Sequence, residues 1–222
     1  MGFLHTLAGP DHYLPFIMMA KARNWPRTKT AWITFISGLG HVLSSVILGF
    51  IGIMLGVAVS KLTHIESVRG DIAAWLFTAF GFVYCICGVR RAIKKRPHRH
   101  LHIHEDGNVH DHKHAHMSEH AHAHGTEKAN ITPWVMFTIF VFGPCEPLIP
   151  VLMYPASHES ASALLLVTGV FAVATIGTMT TVVMAATFGL SFIPLKPIER
   201  WTHAIAGATI MICGLAITFL GL

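Results

Sequence analysis

Long apolar runs organise this chain. Stretches at 2–20, 31–58, 71–90, 131–154, 160–190 and 200–222 are each mostly apolar, and ~20 such residues suffice to cross a bilayer as a helix. The pattern predicts an all-α integral membrane protein with six transmembrane helices. The first stretch lacks the basic start and small-residue cleavage site of a signal peptide and carries Asp11 and His12 inside it, so it reads as a retained helix. A polar interval splits the chain into residues 1–95, a first three-helix repeat; 96–130, a loop; and 131–222, a second three-helix repeat.

The two halves echo one another. "AGPDHYLPFIMMA" in the first apolar stretch is answered by "FGPCEPLIPVLMY" in the fourth. Three spans per half is an odd number, so the copies insert with opposite orientation and form an inverted-topology repeat with its site near the bilayer midplane. Proline inside a helix removes a donor and displaces the carbonyl four residues back. Pro15 is thus expected to free the carbonyl of Asp11, and Pro150 that of Glu146. Loose backbone of this kind survives in a membrane only where it is enclosed by protein or lines a polar cavity.

The ionisable residues gather at the same depth. An aspartate at the centre of a membrane helix costs ~2.5–3.5 kcal/mol on insertion scales, yet Asp11, His12, His41 and Glu146 all fall at mid-stretch. His5 lies one layer further out on nearly the same helical face, and Cys145 adjoins Glu146. A buried acid–imidazole pair that fixes helix packing would explain any one of them. As a set they offer nitrogen, oxygen and sulfur donors suited to a borderline divalent ion.

Composition supports the membrane assignment: 53% of residues are hydrophobic and 12% charged. The net charge of +5 is topological and gives no reason to invoke nucleic acid. With six spans, one side holds Lys21, Arg23, Arg27, Lys29, the basic run from Arg90 to Arg99, Lys113, Lys128, Lys196 and Arg200, against Lys61 and Arg69 on the other. Basic loops stay cytoplasmic, so both termini are expected outside and the long loop inside the cell inner (plasma) membrane. The four cysteines lie in apolar segments, which argues against a disulfide framework. Cys85, Cys87 and Cys213 read as packing residues.

The loop "RPHRHLHIHEDGNVHDHKHAHMSEHAHAHG" contains His98, His100, His102, His104, His110, His112, His114, His116, His120, His122 and His124. It has too few large apolar side chains to build a core and is expected to be disordered. Imidazoles at this density suit capture or buffering of transition-metal ions.

The His5, Asp11, His12 pattern, "GLGHVLSS" around His41 and "GPCEP" in the fourth stretch resemble the nickel/cobalt permease superfamily, in its six-helix branch of urease-accessory nickel permeases and nickel/cobalt efflux proteins. That resemblance implies path ligands at His5, Asp11, His12 and His41. One departure is that five residues separate His5 from Asp11 where the family often has four. "GPCEPLIP" is also similar to the motif of thiol–disulfide carriers of the cytochrome-maturation type, which share inverted three-helix repeats. Those carriers need a cysteine in each half, and the first half here offers Asp11 and His12.

The expected function is secondary transport of Ni²⁺ or Co²⁺, with Zn²⁺ less favoured and efflux slightly favoured over uptake. The alternatives are a transmembrane thiol–disulfide electron carrier and an exporter of sulfite or organic anions; no arginine is expected at mid-membrane to receive an oxyanion. The protein is not expected to be an enzyme or to hold a prosthetic group, and there is no Walker-type phosphate loop. The partners expected are a divalent metal ion and the bilayer; a homo-oligomer and a cytoplasmic metallochaperone are compatible with this reading.

Overall fold

The computed structural model describes the chain except residues 95–97, 104–108, 115–131, 144, 146, 158–160, 193–195 and 221–222. Its membrane part is helical. Helices α3 (Arg27–Met54), α4 (Val59–Lys94), α7 (Ala161–Ser191) and α8 (Thr202–Leu220, preceded by a 3₁₀ turn Lys196–Trp201) are the long ones. Four segments are long and apolar enough to cross a membrane: Arg27–Met54, Val59–Lys94, Ala161–Ser191 and Glu199–Leu220. The protein is thus a multi-pass, all-α membrane protein.

The other two apolar stretches are interrupted. The first consists of α1 (Gly2–Ala8), a 3₁₀ turn (Pro10–His12) and α2 (Leu14–Ala22); the fourth consists of α5 (Thr132–Phe142) and α6 (Leu148–Ser157). Sequence reasoning placed Pro15 and Pro150 in helix interiors, and that placement is corrected. Each falls in the opening turn of its helix, α2 or α6, where the missing N–H has no intrahelical partner to lose. The breaks lie upstream, between α1 and α2 and between α5 and α6.

The hydrophobic pattern of α3 is turned inside out. Trp32, Phe35, Leu39, Leu43, Ile47 and Ile51 recur every three or four residues and are exposed, as a lipid-facing stripe should be. The opposite face buries Thr30, Thr34, Ser37, Gly38, His41, Ser45, Gly49 and Gly52. Lipid tails are as apolar as leucine, so helix association gains from small residues and polar contacts. Phe16, Met19, Phe77, Met136, Phe140, Met179 and Ile210 fill the centre between the elements.

Between α4 and α5, strands β1 (His98–Ile103) and β2 (Val109–His114) pair antiparallel, with His98 opposite His114, His100 opposite His112 and His102 opposite His110. The expectation of a disordered tract is corrected there: alternation of histidine with other residues has the period of two that a strand uses. His104, His116, His120, His122 and His124 lie outside the described residues.

The most extensive helix contact joins α4 to α8 through glycines spaced seven apart on each. A Cβ at Gly81 would meet the backbone of Met211, one at Gly88 that of Ala204, one at Gly207 that of Cys85, and one at Gly214 the side chain of Thr78. Backbones this close leave no room for side chains between them. Gly207→Leu should lower the melting temperature in detergent by more than the ~1–3 kcal/mol of ordinary overpacking would. Gly169→Leu, where a Cβ meets nothing within 4 Å, should leave it unchanged; equal effects would remove the seam as a structural element.

Helix α4 is 36 residues long and begins well before the predicted 71–90, so Glu66 and Arg69 belong to it and not to a loop. Arg69 Nη1 donates to Glu66 Oε1 at 2.6 Å, and its Nη2 donates to Ser44 Oγ at 2.9 Å and to the Val141 carbonyl at 3.0 Å. Glu66 is fully buried. The Arg69 guanidinium is thus engaged by α3, α4 and α5. Breaking a buried pair from one side costs ~3–5 kcal/mol, whereas replacing both partners by apolar groups is often near neutral. Arg69→Met should therefore destabilise strongly in chemical unfolding, and Glu66→Leu with Arg69→Met should recover much of the loss; no recovery would mean that Glu66 has a further essential role.

Candidate functional site

His41 of α3 lies beside both interruptions. At the first, Gly9 lets the chain turn into Pro10–His12: a Cβ on Gly9 would lie 2.7 Å from both Asp11 Oδ1 and His12 Nδ1. His12 Nδ1 sits 3.1 Å from Asp11 Oδ1 and 3.2 Å from the Gly9 carbonyl. Both neighbours only accept, so Nδ1 carries the proton and Nε2 keeps its lone pair. At the second, Gly143 packs against His41, with a Cβ there 3.3 Å from His41 Nδ1. His41 Nδ1 donates to the Phe140 carbonyl at 3.3 Å, which again leaves Nε2 as the lone-pair nitrogen.

Three imidazoles converge. The ring of His12 is 4.7 Å from that of His5 and 5.1 Å from that of His41, both edge-on. His12 and His41 are 2% and 3% exposed. Nε2 of His5, His12 and His41 are all buried without a hydrogen-bond partner, an uncommon state for buried polar atoms. Cys145, fully buried, completes the cluster from the fourth stretch. Its backbone N–H donates to Ser45 Oγ at 3.3 Å, which ties the GPCEP break to the serine pair after His41. One donor atom each from His5, His41 and Cys145 lies within 4.8 Å of the others.

His5, Asp11, His12, His41 and Cys145, singled out from sequence, therefore meet in space. Glu146 lies outside the described residues. The tract histidines with described backbone, His98, His100, His102, His110, His112 and His114, belong to the β1–β2 pairing. Sequence reasoning missed Glu66 and Arg69, both within electrostatic reach of Cys145. Their acid–base spacing of three on one helix face was the available signal. It also missed Cys213 as a neighbour of the site: this buried thiol of α8 lies within electrostatic reach of Asp11. Cys87, read as a packing residue, is exposed.

A family described as the cytochrome C biogenesis protein transmembrane region matches residues 14–218. No curated protein and no solved structure matches the chain. The match overturns the resemblance to nickel/cobalt permeases, and the nickel, cobalt and metal-transport readings fall with it. That resemblance rested on short motifs, and its most specific part, His5 to His12, precedes the matched segment; His41 and Cys145 fall inside it. With nearly the whole chain covered, from the opening of α2 to the end of α8, the protein belongs to the cytochrome c biogenesis transmembrane-region family.

Proposed function

We propose that the protein carries reducing equivalents across the membrane by thiol–disulfide exchange at Cys145. The observation that carries this reading is the placement of a fully buried cysteine at the break between α5 and α6, in a chain whose family is that of cytochrome c biogenesis. The interrupted stretches add two crossings to the four long helices and make six. The shared GP motif then relates the halves as an inverted repeat. Both termini lie outside, and the histidine tract lies on the cytoplasmic side.

A cysteine held at the interface between two such halves is reached from either face in turn as one half rocks against the other. Facing outward, the Cys145 thiolate attacks a disulfide of an extracytoplasmic protein, forming a mixed disulfide and releasing one thiol. From the inner face a thiol of a reduced dithiol protein then attacks Cys145 Sγ, expelling the second thiol of the outer partner and forming a new mixed disulfide; the dithiol's other thiol attacks that bond, closing its own disulfide and freeing Cys145. Two electrons cross for each cycle, and no bond is left unbalanced. The first half places Asp11 and His12 where carriers of this type place a second cysteine, so Cys145 acts as the single exchanging thiol. The runner-up, export of an oxyanion, lacks a guanidinium to receive it, because Arg69 is bound to Glu66.

The test is proteoliposomes with a reduced dithiol protein on one side and a disulfide reporter on the other. Reporter reduction should depend on the protein and fall to background in Cys145→Ser, while Cys85→Ser, Cys87→Ser and Cys213→Ser keep it. Undiminished reduction by Cys145→Ser would overturn the proposal.

A further inference from the structure

The three unpartnered imidazole nitrogens are not explained by thiol exchange. A buried Nε2 with a lone pair and no donor loses the hydrogen bonds it would make in water, and here three such atoms point into one cluster. For His41 the opposite nitrogen is held by the Phe140 carbonyl. A carbonyl or carboxylate on one nitrogen, with the other held bare, is the arrangement that orients histidine for metal ligation.

We propose that Cys145, His5 and His41 form a binding site for a single copper(I) ion, resident and not transported. The donor set decides the ion. One thiolate and two imidazoles are soft enough to select copper, whereas carboxylate and water ligands would select magnesium or calcium. Charge decides the oxidation state: a thiolate and a monovalent ion sum to zero, which suits a cluster sealed from water, where an isolated charge is costly. Among the described residues, the donors gathered within 4.8 Å are those of His5, His41 and Cys145, without His12, and three ligands fall short of the four that close a structural zinc site.

Geometry permits the site with little movement. At the ~2.0–2.3 Å usual for imidazole and thiolate ligation, an ion holding three donors in a plane spaces them roughly 3.5–4 Å apart. The donors lie within 4.8 Å of one another, so side-chain shifts of about 1 Å close the ring. Binding is written Cys145–SH + Cu⁺ → Cys145–S–Cu + H⁺, with the proton released to solvent. A copper-loaded Cys145 is no longer a nucleophile, so occupancy switches the thiol off.

Copper(I) delivered from a chromophoric chelator to the full-length protein in detergent tests this, with X-ray absorption at the copper edge as readout. The histidine tract contains no cysteine but does contain Met117, whose thioether is itself a soft copper(I) ligand, so the protein used carries Met117→Leu and the sulfur shell is assigned to the buried site by its loss in Cys145→Ser. We expect one sulfur per tightly held copper, lost in Cys145→Ser and kept in Cys213→Ser. His5→Ala and His41→Ala should each weaken that copper by about tenfold or more, with size-exclusion profiles confirming folded protein. A sulfur shell that survives Cys145→Ser, copper bound by nitrogen only, or preferential uptake of zinc would overturn the assignment. The readout involves no thiol exchange, so it stands or falls separately from the carrier activity.

Discussion

Backbone that leaves a helix inside a membrane must find its partners within the protein, and two apolar stretches of this chain interrupt their helices beside His41. The rest of the architecture encloses them. α3 turns its small and polar face inward and its large apolar stripe to lipid, so that His41, Ser44 and Ser45 stand beside the breaks. α4 and α8 approach until their backbones touch, a distance only the glycine seam allows. Arg69, reaching from α4 to the Val141 carbonyl, holds the last turn of α5 where the chain departs from helix.

That constraint explains why helix existence was legible in the sequence and helix detail was not. Hydrocarbon leaves few options but helix, so apolar runs located every long element. A charge is scored by its identity, however, and not by its pairing; Glu66 and Arg69 were therefore read as loop, although each removes the other's cost. The prolines misled for a related reason. Their effect depends on whether they stand inside a helix or at its opening, and that turns on where the chain breaks. Pro10 and Gly9, not Pro15, set the first break.

At the site, the residue types were readable because ionisable groups at mid-membrane need a purpose. Their convergence was not readable, since it depends on the turn at Gly9 bringing His12 back against His5 and His41. Nor did the motifs decide identity. Histidines beside an Asp–His pair fit a metal permease over a dozen residues, while the family match extends over helices that carry no diagnostic polar residue. Short motifs report which atoms are present; the long apolar segments record the fold that positions them.

The two histidine-rich regions differ in the one donor that matters. The tract between α4 and α5 offers imidazoles and one thioether, Met117, without a thiol. The buried cluster adds a thiol to imidazoles whose tautomers are set by neighbouring acceptors. The thiol makes this second region soft toward metals and reactive toward disulfides, and the same lone pair on Cys145 cannot serve both ends at once. Under the two proposals the buried Cys145 thiol has two mutually exclusive states, free to exchange or held by an ion.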